Sequence, residues 1–337
     1  MQDALGLAVI GLGTMGQIHV RNIAGGIHGA RLVAMADPDL LRGREASGAG
    51  AQSSVFGDFR QALDCSGVDA VIVASSTSTH GTVLREVLAR RLPVLCEKPL
   101  AASSQEALSL HRAFKQAGIP LQIGFMRRFD PSYRRAFELV SEGKVGTVYH
   151  YGGISRDAVA PSAEVARCSG GFMADTGVHE FDMAAWLLGA RIDRVFARGG
   201  LFVSHYLAES EDVDLAHVSF ITQSGTMGLV ELSRNAMYGY DIRTEVLGSK
   251  GAVRIGVSAA TGTTVLTADG VRSDHLQGYM SRFQEAYRAE VEDFVSKLRE
   301  GGDPAVTGED GLRAVTVAEA AERSLRAGRE VEVIYAE

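Results

Sequence analysis

Between Leu7 and Gly124 short apolar runs alternate with stretches whose apolar residues recur at helical spacing, the pattern of a parallel sheet covered by helices. The predicted strands are Leu7–Ile10, Arg31–Ala36, Ser54–Phe56, Ala70–Ala74, Pro93–Cys96 and Leu121–Gly124. Helical segments lie between them, around Gly16–Ala24, Asp39–Ser47, Phe59–Asp64, Thr79–Arg91 and Ser103–Ala117. Ser104 is placed to cap the last of these, and Gly118 ahead of Pro120 closes it. Six strands joined by crossovers make a doubly wound α/β sheet.

After Phe125 the pattern changes. A helix near Tyr133–Glu142 precedes longer alternating runs, Val145–Ser155, Ile192–Val203, Val213–Thr222, Thr226–Ser233 and Ile242–Leu247, which read as a large, mostly antiparallel open sheet. In Asp212–Ile221, Ala216, Val218 and Phe220 point one way and Leu215, His217 and Ser219 the other, so one face needs a cover. The helices expected to cover it are Asp175–Leu188 and Arg282–Arg299, the latter with Phe283, Tyr287, Val291, Phe294 and Leu298 at helical spacing. The expected division is residues 1–124, an α/β domain, and residues 125–337, an α+β domain.

Composition narrows the class of protein. A chain of 337 residues is long enough for two domains at about 100–200 residues each. With 46% apolar and 22% charged residues it is a folded globular chain rather than a disordered one. Lys and Arg number 34 against 41 Asp and Glu, a formal charge of -7 without a basic block, so no nucleic-acid partner is expected. No apolar run approaches the roughly 18–20 residues that span a bilayer, so no membrane span is expected either. Met1-Gln2-Asp3 lacks the basic start of an export signal, and Cys65, Cys96 and Cys168 form neither a C-x-x-C pair nor an even set. A reducing, cytoplasmic location is expected.

Three constellations carry chemistry. Leu7-Ala8-Val9-Ile10 runs into Gly11-Leu12-Gly13-Thr14-Met15-Gly16 and then a helix, so a G-x-G-x-x-G turn sits where strand becomes helix. Gly11 permits the tight turn, Gly13 lets the backbone approach a pyrophosphate, and Gly16 allows close packing of a helix whose amides face the anion. Asp37 closes the second strand 21 residues after Gly16, where a carboxylate accepts hydrogen bonds from ribose hydroxyls and repels a ribose phosphate. NAD is therefore expected ahead of NADP, although Arg42 and Arg44 lie nearby. Second, Glu97-Lys98-Pro99 follows the fifth strand, at the edge where open α/β sheets bind ligands. There Lys98 is either a solvated turn residue or a donor to a substrate oxygen. Third, Asp175, His179 and Asp182 are spaced by four and three on one predicted helix face. His179 supported by Asp175 makes an acid–base pair; the competing reading is an amphipathic helix whose Trp186 and Leu187 fill the core. Without a further Cys or His cluster no metal is expected.

The glycine turn with Asp37, Glu97-Lys98-Pro99 and the Asp175–His179 helix, in that order, resemble the glucose–fructose oxidoreductase / inositol dehydrogenase (Gfo/Idh/MocA) family. The resemblance runs along nearly the whole chain. It includes Gly16-Gln17-Ile18-His19, Ser78-Thr79-His80, Met126-Arg127-Arg128-Phe129-Asp130, Phe283-Gln284-Glu285-Ala286-Tyr287 and Gly308-Glu309-Asp310-Gly311. It implies a Rossmann domain, a second domain whose open sheet mediates oligomerisation, usually as a tetramer or dimer, and nicotinamide-dependent oxidation of a sugar or polyol. Lys98, Asp175 and His179 fall on the family's catalytic positions and Asp182 on a substrate-binding one. Cofactor contacts are expected from Gly11, Gly13, Thr14, Met15, Gly16, Asp37, Ser76, His80, Glu97 and Lys98. Substrate contacts are expected from Lys98, Arg127, Asp157, Asp182 and Tyr240, with Tyr238 beside them. Met126–Asp130, Ser155-Arg156-Asp157, Ser169-Gly170-Gly171-Phe172 and His179-Glu180-Phe181-Asp182 bring the resemblance closest to family members that oxidise inositol at the 2-position. The expected reaction is thus NAD-dependent oxidation of a cyclic polyol, myo-inositol first. Aldose or scyllo-inositol oxidation, a transient oxidation in a glycosidase, and a non-catalytic NAD-binding sensor are the alternatives. Arg127, Arg128 and Arg156 leave open an anionic substrate.

Overall fold

The computed structural model describes residues 4–48, 53–256, 259–268 and 270–336, so Met1-Gln2-Asp3 lies outside the described residues. Contacts divide the chain into two compact units, Met1–Phe129 with Glu285–Val315, and Asp130–Gln284 with Thr316–Glu337.

The first unit is built on a six-stranded parallel sheet: β1 (Leu5–Ile10), β2 (Ala30–Ala36), β3 (Ser54–Phe56), β4 (Ala70–Val73), β5 (Val94–Glu97) and β6 (Leu121–Gly124). The strand order β3-β2-β1-β4-β5-β6 reverses between β1 and β4, which is the doubly wound dinucleotide-binding topology. Helices α1 (Thr14–Ala24), α2 (Leu40–Ser47), α3 (Phe59–Leu63), α4 (Thr77–Ala89) and α5 (Ser104–Ala117) make the crossovers. Helices on both faces explain why β4, β5 and β6 are buried at every residue and why β4 reads as an unbroken apolar run. The cap of α5 is Ser103, one residue before the expected Ser104; its side chain accepts from the Glu106 N–H, and Gly118 ends the helix at φ 65°.

The second unit carries a seven-stranded sheet. Its elements are α6 (Pro131–Ser141), β7 (Val148–Arg156), α7 (Ala163–Cys168), α8 (Val178–Leu188), β8 (Ile192–Gly200), β9 (Leu215–Thr222), β10 (Met227–Ser233), β11 (Asp241–Gly248) and β12 (Gly251–Gly256). A separate hairpin, β13 (Ala259–Thr267) with β14 (Gly270–His275), and the short β15 (Val331–Glu332) follow. The order is β12-β11-β7-β10-β9-β8-β15, antiparallel as expected except where β7 and β10 run parallel. Along β9 Ala216, Val218 and Phe220 are buried while His217, Ser219 and Ile221 are exposed, the alternation legible in the sequence. Helix α8 covers this face: the Tyr151 hydroxyl of β7 donates to Glu180 at 3.0 Å, and Trp186 stacks on Phe137 of α6 at 4.4 Å.

One expectation fails. The stretch Arg282–Arg299 is helical, within Tyr279–Glu300, but its stripe of Val291, Phe294 and Val295 packs with Leu7, Val9, Val20 and Ile72 in the core of the first unit. An amphipathic stripe says that a helix has an apolar face and is silent on which sheet that face covers. The backbone leaves helical values at Phe283 (φ -124°, ψ 18°), beside the division between units. The second cover of the large sheet is instead the latter half of the helix Gly308–Ala327, where Ser324 Oγ accepts from the Ala197 N–H of β8 at 2.9 Å. Thr307 and Asp310 start this helix reciprocally, Thr307 N–H to Asp310 Oδ2 at 2.8 Å and Asp310 N–H to Thr307 Oγ1 at 3.4 Å.

Truncating Phe294 to alanine leaves a cavity beneath the parallel sheet and should destabilise the protein by about 3–5 kcal/mol, as large-to-small core changes do. A thermal or denaturant unfolding shift corresponding to under about 1 kcal/mol would place that side chain outside the core.

Candidate functional site

In the first unit the carboxyl ends of the parallel strands surround a cavity of about 670 Å³ lined by Gly11, Gly13, Thr14, Met15, Asp37 and Ser76, among others. Gly11 sits at φ 89°, and a Cβ there would lie 2.5 Å from the Ser75 backbone, so only glycine closes this turn. A Cβ on Gly16 would meet the Gly11 carbonyl oxygen at 1.8 Å, which is the close helix–strand approach expected of it. A Cβ on Gly13 meets nothing within 4 Å; the space in front of it opens on the start of α1, whose first N–H groups suit a pyrophosphate. Asp37 is buried, and its carboxylate accepts from the Leu12 N–H at 2.7 Å and the Asp39 N–H at 2.9 Å. Those bonds tie the end of β2 to the glycine turn, and the carboxylate has lone pairs beyond them that could accept from ribose hydroxyls. Arg42 pairs with Asp39 at 3.5 Å; the Arg44 side chain lies outside the described residues.

Glu97 ends β5, Lys98 follows it, and the Lys98–Pro99 peptide bond is cis. The Glu97 carboxylate turns into the interior and bonds His19 Nε2 of α1 at 2.7 Å. His80 is also buried, its ring nitrogens 2.9 Å from the Pro99 carbonyl oxygen and 3.0 Å from that of Ser75. Burial pushes the His80 pKa down, outweighing those carbonyls, and the ring ties α4 to the Pro99 turn. His80, Glu97 and Lys98 do not line the cavity, and Lys98 is half-buried.

In the second unit, the parallel pairing of β7 and β10 brings both carboxyl ends to one edge. There the Asp157 N–H donates to the Ser233 carbonyl at 2.8 Å, and the Asp157 carbonyl accepts from the Ala236 N–H at 2.8 Å. Asp175 is not on a regular α-helix with His179. It lies in a π-helical turn, Met173–Gly177, reached through Gly170 (φ 83°) and Gly171 (φ 90°), and α8 begins only at Val178. The two left-handed glycines let the chain turn sharply into this coil, whose turn is wider than that of an α-helix. His179 is half-buried and Asp182 buried on α8. Tyr240 is buried, with its ring edge-on to Phe283 at 6.5 Å.

Arg234, which the sequence reading passes over, follows β10 and is fully buried. Its guanidinium lies over Phe172 at 4.6 Å, 3.2 Å from Asp212 Oδ2 and 4.0 Å from Asp175 Oδ2. Asp212 Oδ1 in turn accepts from the Phe172 N–H at 3.1 Å, so this pair fixes the chain leading to Asp175 from both sides. A lone arginine after a strand has no pattern that separates it from a surface residue.

The arginines that had suggested an anionic substrate are engaged. Arg128 is buried against Asp310 at 3.0 Å; burial opposes the Asp310 charge, yet Arg128 and Thr307 hold that carboxyl below its usual value. Arg156 lies 2.6 Å from Glu231 and from the Tyr238 hydroxyl, and that hydroxyl donates to Asp241 at 2.6 Å. Arg127 is buried in the 3-10 turn Met126–Phe129.

A dinucleotide-binding parallel sheet joined to a mixed-sheet unit bearing Asp and His defines a two-unit nicotinamide-dependent oxidoreductase. Residues 5–125 match the model of the oxidoreductase family's NAD-binding Rossmann fold, and residues 137–333 that of its C-terminal alpha/beta domain. The chain belongs to the Gfo/Idh/MocA family of oxidoreductases, and NAD is its cofactor. It is 35% identical over 333 residues to the scyllo-inositol 2-dehydrogenase (NAD(+)) of Bacillus subtilis, covering 99% of this chain and 97% of the relative. It is 36% identical over 330 residues to the myo-inositol 2-dehydrogenase of Thermotoga maritima, covering 97% and 98%. Among solved structures, scyllo-inositol dehydrogenase from Lactobacillus casei with bound NAD(H) and scyllo-inositol superposes with a TM-score of 0.93 at 29% identity, covering 98% and 99%.

The wild-type protein should use NAD more efficiently than NADP, and Asp37→Ser should narrow the difference in kcat/KM by removing ribose acceptors and charge repulsion together. A wild-type preference for NADP would contradict the role given to Asp37.

Proposed function

We propose that the chain oxidises a secondary hydroxyl of a cyclic polyol with NAD, myo-inositol first and scyllo-inositol or an aldopyranose behind it. The observation that carries the neutral substrate is the engagement of Arg128 and Arg156 with carboxylates of their own units. An anionic substrate would need such guanidinium groups for itself. Asp157, Asp175 and Asp182 would supply the acceptors that recognition of many hydroxyl donors requires. The relatives that act on inositols support the same reading.

In the proposed mechanism, bound NAD supplies the hydride acceptor. His179 removes the hydroxyl proton as general base, and Asp175, steadied by Arg234, orients it. Lys98 donates from Nζ to the reacting oxygen and stabilises its negative charge. Gly11, Gly13, Thr14, Met15, Asp37 and Ser76 would hold the dinucleotide, while Arg127, Asp157, Asp182 and Tyr240 orient the ring hydroxyls. Losing a positioned general base typically costs about 10²–10⁴ in rate, so His179→Ala should lower turnover by that order with NAD affinity little changed. Lys98→Met should be at least as damaging. Turnover followed by NADH absorbance with myo-inositol, beside NAD binding by fluorescence, checks both; near-normal turnover in a folded variant removes that residue from the mechanism. A polyol panel that gives no NADH at all would favour the NAD-binding sensor.

We also propose a homo-oligomer, a tetramer by family resemblance, assembled through the outer face of the large sheet in a reducing, cytoplasmic setting. That face exposes Met227 (64%), Leu229 (49%) and Ile221 (36%), with Met227 and Ile221 paired across strands β10 and β9. Light scattering at micromolar concentration should give a multiple of the chain mass, and Leu229→Glu should reduce it. A monomeric wild type would contradict the proposal.

A further inference from the structure

Glu290, on the helix Tyr279–Glu300, is a buried acid to which the mechanism gives no part. It is fully buried, and among the described residues neither carboxyl oxygen has a hydrogen-bond partner. It faces His19 of α1 and Glu97 of β5, and one donor atom from each of the three residues lies within 4.8 Å of the others. Asp293 is the other acid that faces it. From β6, the buried Gln122 donates from Nε2 to the Glu290 backbone carbonyl at 3.2 Å, which leaves the carboxyl group itself unpaired.

Two readings of this cluster are chemically open, a metal ion or a proton. The His19–Glu97 contact separates them. At 2.7 Å it is a hydrogen bond, and two ligands on a tetrahedral zinc ion at about 2.0–2.1 Å would stand about 3.3 Å apart. A proton therefore already occupies the position between them. A second carboxylate charge in the same sealed space would face the acidic groups of Glu97 and Asp293, a costly arrangement that proton uptake relieves. Burial first, then Glu97 and Asp293, push the Glu290 pKa well above the usual carboxyl value.

We propose that Glu290 holds a proton at neutral pH and acts as a positioning residue: by staying uncharged it preserves the Glu97–His19 bond that anchors the turn carrying Lys98. The positioning part rests on Lys98 being catalytic. The protonation part does not.

Proton linkage gives a test independent of activity. The unfolded chain releases the Glu290 proton near the ordinary value of about 4.3, whereas the folded chain keeps it. Above that pH the folded state binds more protons at this site, so the site's contribution to stability declines as pH rises, by up to tenfold in the unfolding constant per pH unit. Glu290→Gln keeps the shape and removes the ionisation. Its melting temperature should rise relative to wild type from pH 5 to pH 8, and isotope-edited infrared difference spectra at pH 7.5 should show a protonated-carboxyl band in wild type that the variant lacks. A constant or falling difference, or no such band, would overturn the protonation. Zinc or manganese retained stoichiometrically by wild type after dialysis and lost in Glu290→Gln would also overturn it, in favour of a metal site.

For the positioning role, Glu290→Ala should lower kcat about tenfold or more with KM for NAD unchanged, and Glu290→Gln should restore it to within about threefold of wild type. Equal impairment of folded Gln and Ala variants, or impairment of neither, would overturn that role. A wild-type protein without any polyol oxidation would instead count against the dehydrogenase reading and leave the melting and infrared results standing.

Discussion

Parallel strands deliver all their carboxyl ends to one edge of a sheet, and the chemistry of the first unit depends on that constraint. β1 ends at the glycine turn, β2 at Asp37, β4 at Ser75 and Ser76, and β5 at Glu97 and Lys98. Because helices seal both faces of the sheet, its backbone groups are satisfied strand to strand and only the edge remains open to a ligand. The bond from the Leu12 N–H to Asp37 then joins two of these ends into one surface.

The second unit reaches a similar result by a different route. In a wholly antiparallel sheet, successive strands end on opposite edges; the single parallel pairing of β7 with β10 breaks that alternation and places Asp157 and Arg234 side by side. Arg234 then holds Asp212, and through it the backbone of Phe172, on the path into the π-helical turn of Asp175. In both units a buried charge is met by a partner, Arg234 by the Asp212 carboxylate and Asp37 by backbone N–H groups. Buried groups left otherwise would cost more than the surrounding packing returns.

Much of this was legible in the sequence because it rests on local rules. The period of the apolar residues gave away strands and helices, the Gly11–Gly16 turn with Asp37 pointed to an NAD-binding Rossmann fold, and the β9 alternation named the buried face. Even Glu290 left a trace, since it occupies an apolar position in the series Phe283, Tyr287, Glu290 and Phe294, where an acid needs an explanation.

Tertiary structure alone decided the destination of each element. The stripe of Val291, Phe294 and Val295 is the same whichever sheet it covers, and only packing assigned it to the parallel sheet rather than the mixed one. Likewise the sequence shows three arginines and cannot say that Arg128 meets Asp310, 182 residues away, or that Arg156 meets Glu231. The spacing of Asp175 and His179 read as one α-helix, whereas Asp175 stands in a π-helical turn, Met173–Gly177, ahead of it. The physical reason is common to all three: spacing fixes which residues share a face, whereas the partner of that face is chosen by the whole chain's competition to bury apolar surface and neutralise charge.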